Sequence, residues 1–133
     1  MAKLIWSMLC EKPLIDSQTN NVSLINIIEE FSVPNVPISI PQPFFIVSLW
    51  QRELSDKNKP ENFEYRIMLV SPSKSERELI KYKVKIEKER HRTMNGIIGL
   101  KIGELGTHYI SVEIKKDGDW KKSIRIPFYI RKA

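Results

Sequence analysis

Six cations crowd one stretch of the chain: Lys81, Lys83, Lys85, Lys88, Arg90 and Arg92. Side chains of this type neutralise phosphates and release counterions, so the cluster is a candidate site for nucleic acid or another polyanion. Lys81, Lys83 and Lys85 recur at every second residue. In a strand that spacing places them on one face, about 7 Å apart. The wider distribution agrees. Residues 1–80 carry 8 Lys and Arg against 10 Asp and Glu, whereas residues 81–133 carry 14 against 6. The same lysines have a plainer use: on the solvent side of a strand they guard an edge against sheet-to-sheet association. Exposed aromatics among the cations would favour nucleic acid. Tyr82 instead alternates with apolar residues and is expected inside, which leaves the polyanion reading as the alternative rather than the leading one.

Other chemistry is harder to assemble. Cys10 would need a base within hydrogen-bond reach to act as a nucleophile, and His91 and His108 are the only histidines. Cys10 lies in an apolar run, where free cysteine behaves as a small hydrophobe and a slow thiol. Two histidines and one distant cysteine lack the paired spacing that holds zinc. Glu29 and Glu30 are adjacent, so a strand sends them to opposite faces. Gly96 and Gly99 lack the Lys-Ser/Thr context of a phosphate loop. Pro34-Asn35-Val36-Pro37 has the spacing of a polyproline ligand, but no Lys or Arg lies between Lys12 and Arg52 to anchor it, so it reads as an extended crossing. No catalytic, cofactor or metal site is expected, and the chain is not read as an enzyme.

The elements that must carry these residues are strands. Ile80, Tyr82, Val84 and Ile86 alternate with Lys81, Lys83, Lys85 and Glu87. Ile124, Ile126, Phe128 and Ile130 alternate with Arg125, Pro127, Tyr129 and Arg131. Ile110, Val112 and Ile114 alternate with Ser111 and Glu113. A period of two marks a half-buried strand, with the apolar set inward. Pro127 cannot donate to a ladder, so its strand belongs at an edge or bulge there. Leu4 to Cys10, Phe44 to Arg52 and Phe63 to Val70 supply further strands. Leu24 to Phe31 is read as strand from its β-branched content. A short irregular strand is expected around Ile97 to Ile102. Turns are expected at Ser55–Asn62, Ser71–Ser75 and Lys116–Asp119.

With 133 residues, 41% of them hydrophobic, the chain suits a single domain over 1–133 with its own core. One cysteine, no run long enough to span a membrane and no signal-peptide cleavage site lead to the expectation of a cytoplasmic protein. The expected fold is all-β: a single-domain antiparallel sandwich of immunoglobulin-like type with seven or eight strands.

The chain resembles a family of small, uncharacterised bacterial proteins defined as a domain of unknown function. The resemblance rests on Leu9-Cys10-Glu11, Val22 to Ile27, Val33-Pro34, Val36-Pro37, Val70-Ser71-Pro72-Ser73, Gly106-Thr107 and Asp117-Gly118, and spans residues 3–131. It implies an immunoglobulin-like fold and supplies no catalytic residues. His108 shares the parity of Ile110 and Val112, so Tyr109 takes the opposite face and a tyrosine corner is not expected. The favoured function is a non-catalytic accessory module that engages a protein partner through a sheet face, an edge or its loops. No membrane partner is expected.

Overall fold

A computed structural model describes residues 1–53 and 59–133. In chain order the strands are β1 (Lys3–Ile15), β2 (Val22–Ile27), β3 (Glu30–Val33), β4 (Ile38–Ser39), β5 (Phe44–Gln51) and β6 (Glu61–Val70). They continue as β7 (Glu76–Ile86), β8 (Arg90–Ile97), β9 (Lys101–Ile102), β10 (Gly106–Lys116) and β11 (Asp119–Lys132). Four strands form a front sheet in the order β2-β1-β5-β8. Five form a back sheet in the order β3-β11-β10-β6-β7, and β4 pairs with β9.

The all-β expectation holds, with two corrections. Among the described residues there are eleven strands rather than seven or eight, because β3, β4 and β9 add pieces of four residues or fewer. Prolines set those lengths. Pro34 follows the end of β3, and Pro37 and Pro41 bracket β4, each removing a ladder donor. The pairing is also not wholly antiparallel, since β3 runs parallel to β11 through Tyr129↔Glu30 and Ile130↔Phe31. The short irregular strand expected around Ile97 to Ile102 is found in two pieces, the end of β8 at Ile97 and β9 at Lys101–Ile102, with Gly99 turning the chain between them at φ +67°. Of the turn expected over Ser55–Asn62, residues 55–58 lie outside the described residues and Glu61 and Asn62 belong to β6.

The two larger sheets contribute to one core. Leu9, Phe44, Ile46 and Trp50 of the front sheet share one core with Phe63, Tyr65, Ile110 and Phe128 of the back sheet. Trp50 is fully buried, its ring 4.7 Å from Phe63 and 5.3 Å from Tyr65, centroid to centroid. Its Nε1 donates to Thr93 Oγ1 at 3.0 Å, and Tyr65 Oη donates to Asn95 Oδ1 at 2.9 Å. The polar ends of these rings are therefore satisfied inside.

Two burial expectations need correction. Tyr82 is 52% exposed, although Ile86 on the same face is fully buried. It has inward parity, but β7 is an edge strand of the five-stranded sheet. Its ring stacks only on Tyr65, at 6.1 Å. Glu113 and Ser111, expected on the solvent side, are buried. Glu113 accepts from Arg66 Nε at 2.9 Å and from Ser111 Oγ at 3.2 Å, and the Arg66 guanidinium lies 4.5 Å over the Trp120 ring. The cation and its aromatic neighbour shelter the carboxylate from water. Lys81, Lys83 and Lys85 are exposed as expected. Pro127 faces Tyr109 on one side, while β3 joins the other side of β11 only from Tyr129 onward, so the proline sits on open edge.

Ser7 and Ser48 face each other between the sheets, their hydroxyl oxygens 2.6 Å apart. Replacing Ser7 by Ala leaves the Ser48 hydroxyl buried and unpaired, at a cost of about 1–3 kcal/mol. The Ser7→Ala/Ser48→Ala double variant should recover most of that loss. Urea unfolding of the two single variants and the double one measures this; additive losses would show that the pair does not act as a unit.

Candidate functional site: an apolar trough on the front sheet

The six clustered cations do not form one patch. Lys81, Lys83 and Lys85 point outward from β7 on the back sheet, Lys88 lies in the turn to β8, and Arg90 and Arg92 lie on β8 in the front sheet. The final strand is in the same sheet as β7, so Arg125 and Lys122 share the outward face of the β7 lysines. Three strand spacings, about 14 Å, separate β7 from β11. Between them lie the Arg66–Glu113 pair at 2.8 Å and the Lys115–Glu64 pair at 3.6 Å. Arg125 is stacked on Tyr109 at 4.5 Å, and Lys122 reaches Glu76 at 3.8 Å. Much of the charge on this face is thus already engaged.

The outer face of the front sheet is different. Pairing of Cys10 with Ile27 and Phe45, Lys12 with Ile25, Met8 with Val47 and Val47 with Met94 puts these side chains together on that face. Trp6 and Leu49 join them, half-buried. Cys10 and Val47, at the centre, are fully buried, while Met8, Ile25, Ile27 and Met94 around them are 40%, 45%, 48% and 41% exposed. Gly96 makes room for Phe45, whose ring lies 3.3 Å from where a Cβ would stand. The result is a trough with an apolar floor and apolar walls.

The β1–β2 hairpin forms its roof at one end. Asp16 Oδ1 accepts from the backbone N–H of Gln18 at 2.8 Å and of Thr19 at 2.9 Å, closing the turn, and Asn20 takes φ +61°. These two donors hold the exposed Asp16 carboxyl below its usual range. β2 and β8 are opposite edges of the sheet, yet Arg92 Nη2 donates to Asn20 O at 2.8 Å. The hairpin therefore bends back across the outer face. At its base is a cavity of about 850 Å³, lined by Pro13, Ile15, Phe31, Phe45 and Met94 among others. Of its charged residues, Glu11 accepts from Asn26 Nδ2 at 2.9 Å and Glu30 pairs with Arg131 at 3.1 Å. Lys12 has no carboxylate within ion-pair distance among the described residues.

Cys10 lies on β1 of the front sheet and His108 on β10 of the back sheet. Burial pushes the Cys10 thiol above its ordinary value. His108 is buried, stacks on Phe128 at 5.5 Å and donates from Nδ1 to Gly106 O at 3.1 Å. Among the described residues no group of three or more His, Cys, Asp or Glu could hold a metal, and no helix is long and apolar enough to cross a membrane.

Sequence reasoning missed the trough. The signal was present in β1 and β5, whose runs Leu4-Ile5-Trp6 and Phe44-Phe45-Ile46-Val47 are apolar at both parities. Strands covered on one face alternate; these do not.

No family model and no curated protein matches the chain. Among solved structures, the fold is similar to that of the Pseudomonas fluorescens alkylpurine DNA glycosylase AlkC bound to DNA containing an abasic site analog. The TM-score is 0.55 at 8% identity, and the match covers 98% of this chain and 30% of that one.

Burial disfavours the charged form of both His91 and His108 and lowers their pKa below 6.5. As pH falls below that value the unfolded chain takes up protons first, so the fold loses stability. Thermal midpoints should fall between about pH 7.5 and pH 5. A His108→Phe variant, which keeps a ring against Phe128, should show a shallower slope; an unchanged slope would remove His108 from this role.

Proposed function

We propose that the chain is an immunoglobulin-like two-sheet sandwich without catalytic activity, and that it docks a protein partner in the trough of its front sheet. The observation that carries this is the outward clustering of Met8, Ile25, Ile27 and Met94, all at least 40% exposed, around a buried floor. Four strands at about 4.8 Å by about seven residues at about 3.3 Å give a face of roughly 400 Å². That is the footprint of the whole face, of which the exposed apolar part is smaller; an exposed apolar cluster rimmed by polar residues is the kind of surface that receives a partner. Methionine suits the role, because its flexible thioether adapts to a partner's shape. The two-layer packing supports the sandwich reading. The likeness to a DNA glycosylase bears on fold alone, and the DNA named with it belongs to that protein.

The test is partner capture with Met8→Glu and Met94→Glu variants. Each should weaken binding at least about tenfold. Both side chains are more than half buried, so thermal unfolding checks that each variant is folded and capture is compared between folded proteins. Undiminished capture by both folded variants would sink the docking reading.

A second reading has one observation in its favour: Lys81, Lys83, Lys85, Lys122 and Arg125 share the outer face of the back sheet. It takes that face as a weak, sequence-independent polyanion site, diluted by Glu64, Glu76 and Glu78 on the same face. Binding to DNA and RNA should then be measurable at low salt and largely gone by about 0.15 M. A Lys81/Lys83/Lys85→Glu variant should lose it. Tight, salt-resistant binding abolished in that variant would make nucleic acid the leading partner.

A further inference from the structure

By strand parity the charged side chains on the outer face of the front sheet are cations, and the two carboxylates that line the cavity near Lys12 are engaged, Glu11 by Asn26 Nδ2 and Glu30 by Arg131. Lys3 and Arg90 flank Gln51 at one end of the trough, Arg92 sits beside Leu49, and Lys12 sits beside Ile25 at the other end. No Asp or Glu has the same outward parity in β1, β2, β5 or β8. None of the four cations has a carboxylate within ion-pair distance among the described residues, in contrast to Lys115, Lys122 and Arg66 on the opposite sheet. An apolar strip ending in unpaired cations is complementary to an apolar strip ending in carboxylates.

We infer that the trough takes an acidic amphipathic polypeptide segment, apolar along the side that meets the exposed Met8, Ile27 and Met94, with carboxylates reaching Lys12 at one end and Arg90 and Lys3 at the other. This rests on the docking reading above. A second copy of the chain fits poorly, because face-to-face pairing sets Lys3, Lys12, Arg90 and Arg92 of each copy against the same four cations, with Glu11 the one carboxylate in these four strands. The flat area of roughly 400 Å² also falls short of the ~800 Å² per partner of a stable complex, so the rim must contribute favourably. A lipid surface fits poorly for a geometric reason. The apolar side chains lie in a recess whose floor is fully buried and across which the β1–β2 hairpin bends to Arg92. A bilayer needs them on a protruding surface. A segment crossing the sheet, about 19 Å, needs about six extended or about thirteen helical residues.

The experiment uses the full chain and three probes. The first is a labelled peptide of about fourteen residues with one Leu-rich helical face flanked by Glu. The second is its twin with Lys in place of Glu. The third is a set of phosphatidylglycerol and phosphatidylcholine vesicles. The Glu peptide should bind at least about tenfold more tightly than the Lys peptide. Met94→Glu should weaken the Glu peptide. A Lys12→Glu/Arg90→Glu variant, both positions exposed, should reverse the preference between the peptides. Equal binding of both peptides, lost in Met94→Glu, would leave docking standing and overturn the charge inference. Binding of neither peptide would overturn the charge inference too, and the partner-capture result then decides whether docking survives. Binding to phosphatidylglycerol vesicles in preference to either peptide would overturn it in favour of lipid.

Discussion

The register between β1 and β5 decides what this protein shows to solvent. Both strands are apolar at both parities, so burial alone would accept either face inward. A slip of one residue would exchange Leu9, Ile46 and Trp50 for Met8, Val47 and Cys10. What distinguishes the two registers is the Ser7–Ser48 pair, directly opposite across the strands and 2.6 Å apart. In the observed register each buried hydroxyl has a partner. The bulge at Ile5, between the Leu4↔Trp50 and Trp6↔Leu49 pairs, then keeps Leu4 inward as well. Once this register is set, Met8 and Val47 must face out, and the pairings to β2 and β8 line Ile27 and Met94 up beside them.

The two outer faces have opposite characters as a result. On the back sheet several polar side chains neutralise one another, while Lys81 and Lys83 have no carboxylate within ion-pair distance among the described residues. Arg66 holds Glu113 and covers Trp120, Arg125 covers Tyr109, and Lys115 reaches Glu64. Such a face gains little from a partner, because a newcomer must displace interactions already made. On the front sheet the apolar side chains have only each other and the bent hairpin. Each is already more than half buried, so covering the rest of one contributes about 1 kcal/mol, with no polar interaction lost. The asymmetry gives the front face the larger incentive to dock.

The two burial surprises share a cause with this asymmetry. Tyr82 has inward parity but lies on the edge strand β7. Glu113 has outward parity but is roofed by Arg66 beside Trp120. Periodicity reports which side of its own strand a residue occupies. It does not report what lies above that side, which depends on where the strand lies in its sheet and on where long side chains from neighbouring strands fall.

Much of the fold was therefore legible and most of the site was not. Alternation along Ile80–Glu87 and Ser123–Arg131, the apolar run of Phe44–Arg52 and the Asp117-Gly118 turn are local patterns. A two-residue period and a left-handed turn leave their mark in neighbouring positions, so strand identity and all-β character follow from the sequence. The exposure of Lys81, Lys83 and Lys85 follows for the same reason. The trough required knowledge of which strands lie side by side. Met8, Ile27, Val47 and Met94 are spread over most of the first hundred residues, and only the order β2-β1-β5-β8 makes them neighbours. The clustered cations show the converse. Lys85 and Arg90 are close in sequence, yet the turn at Lys88 sends them to different sheets. Strand pairing is a long-range choice made by the whole core, and it gathered distant apolar residues and parted adjacent charges.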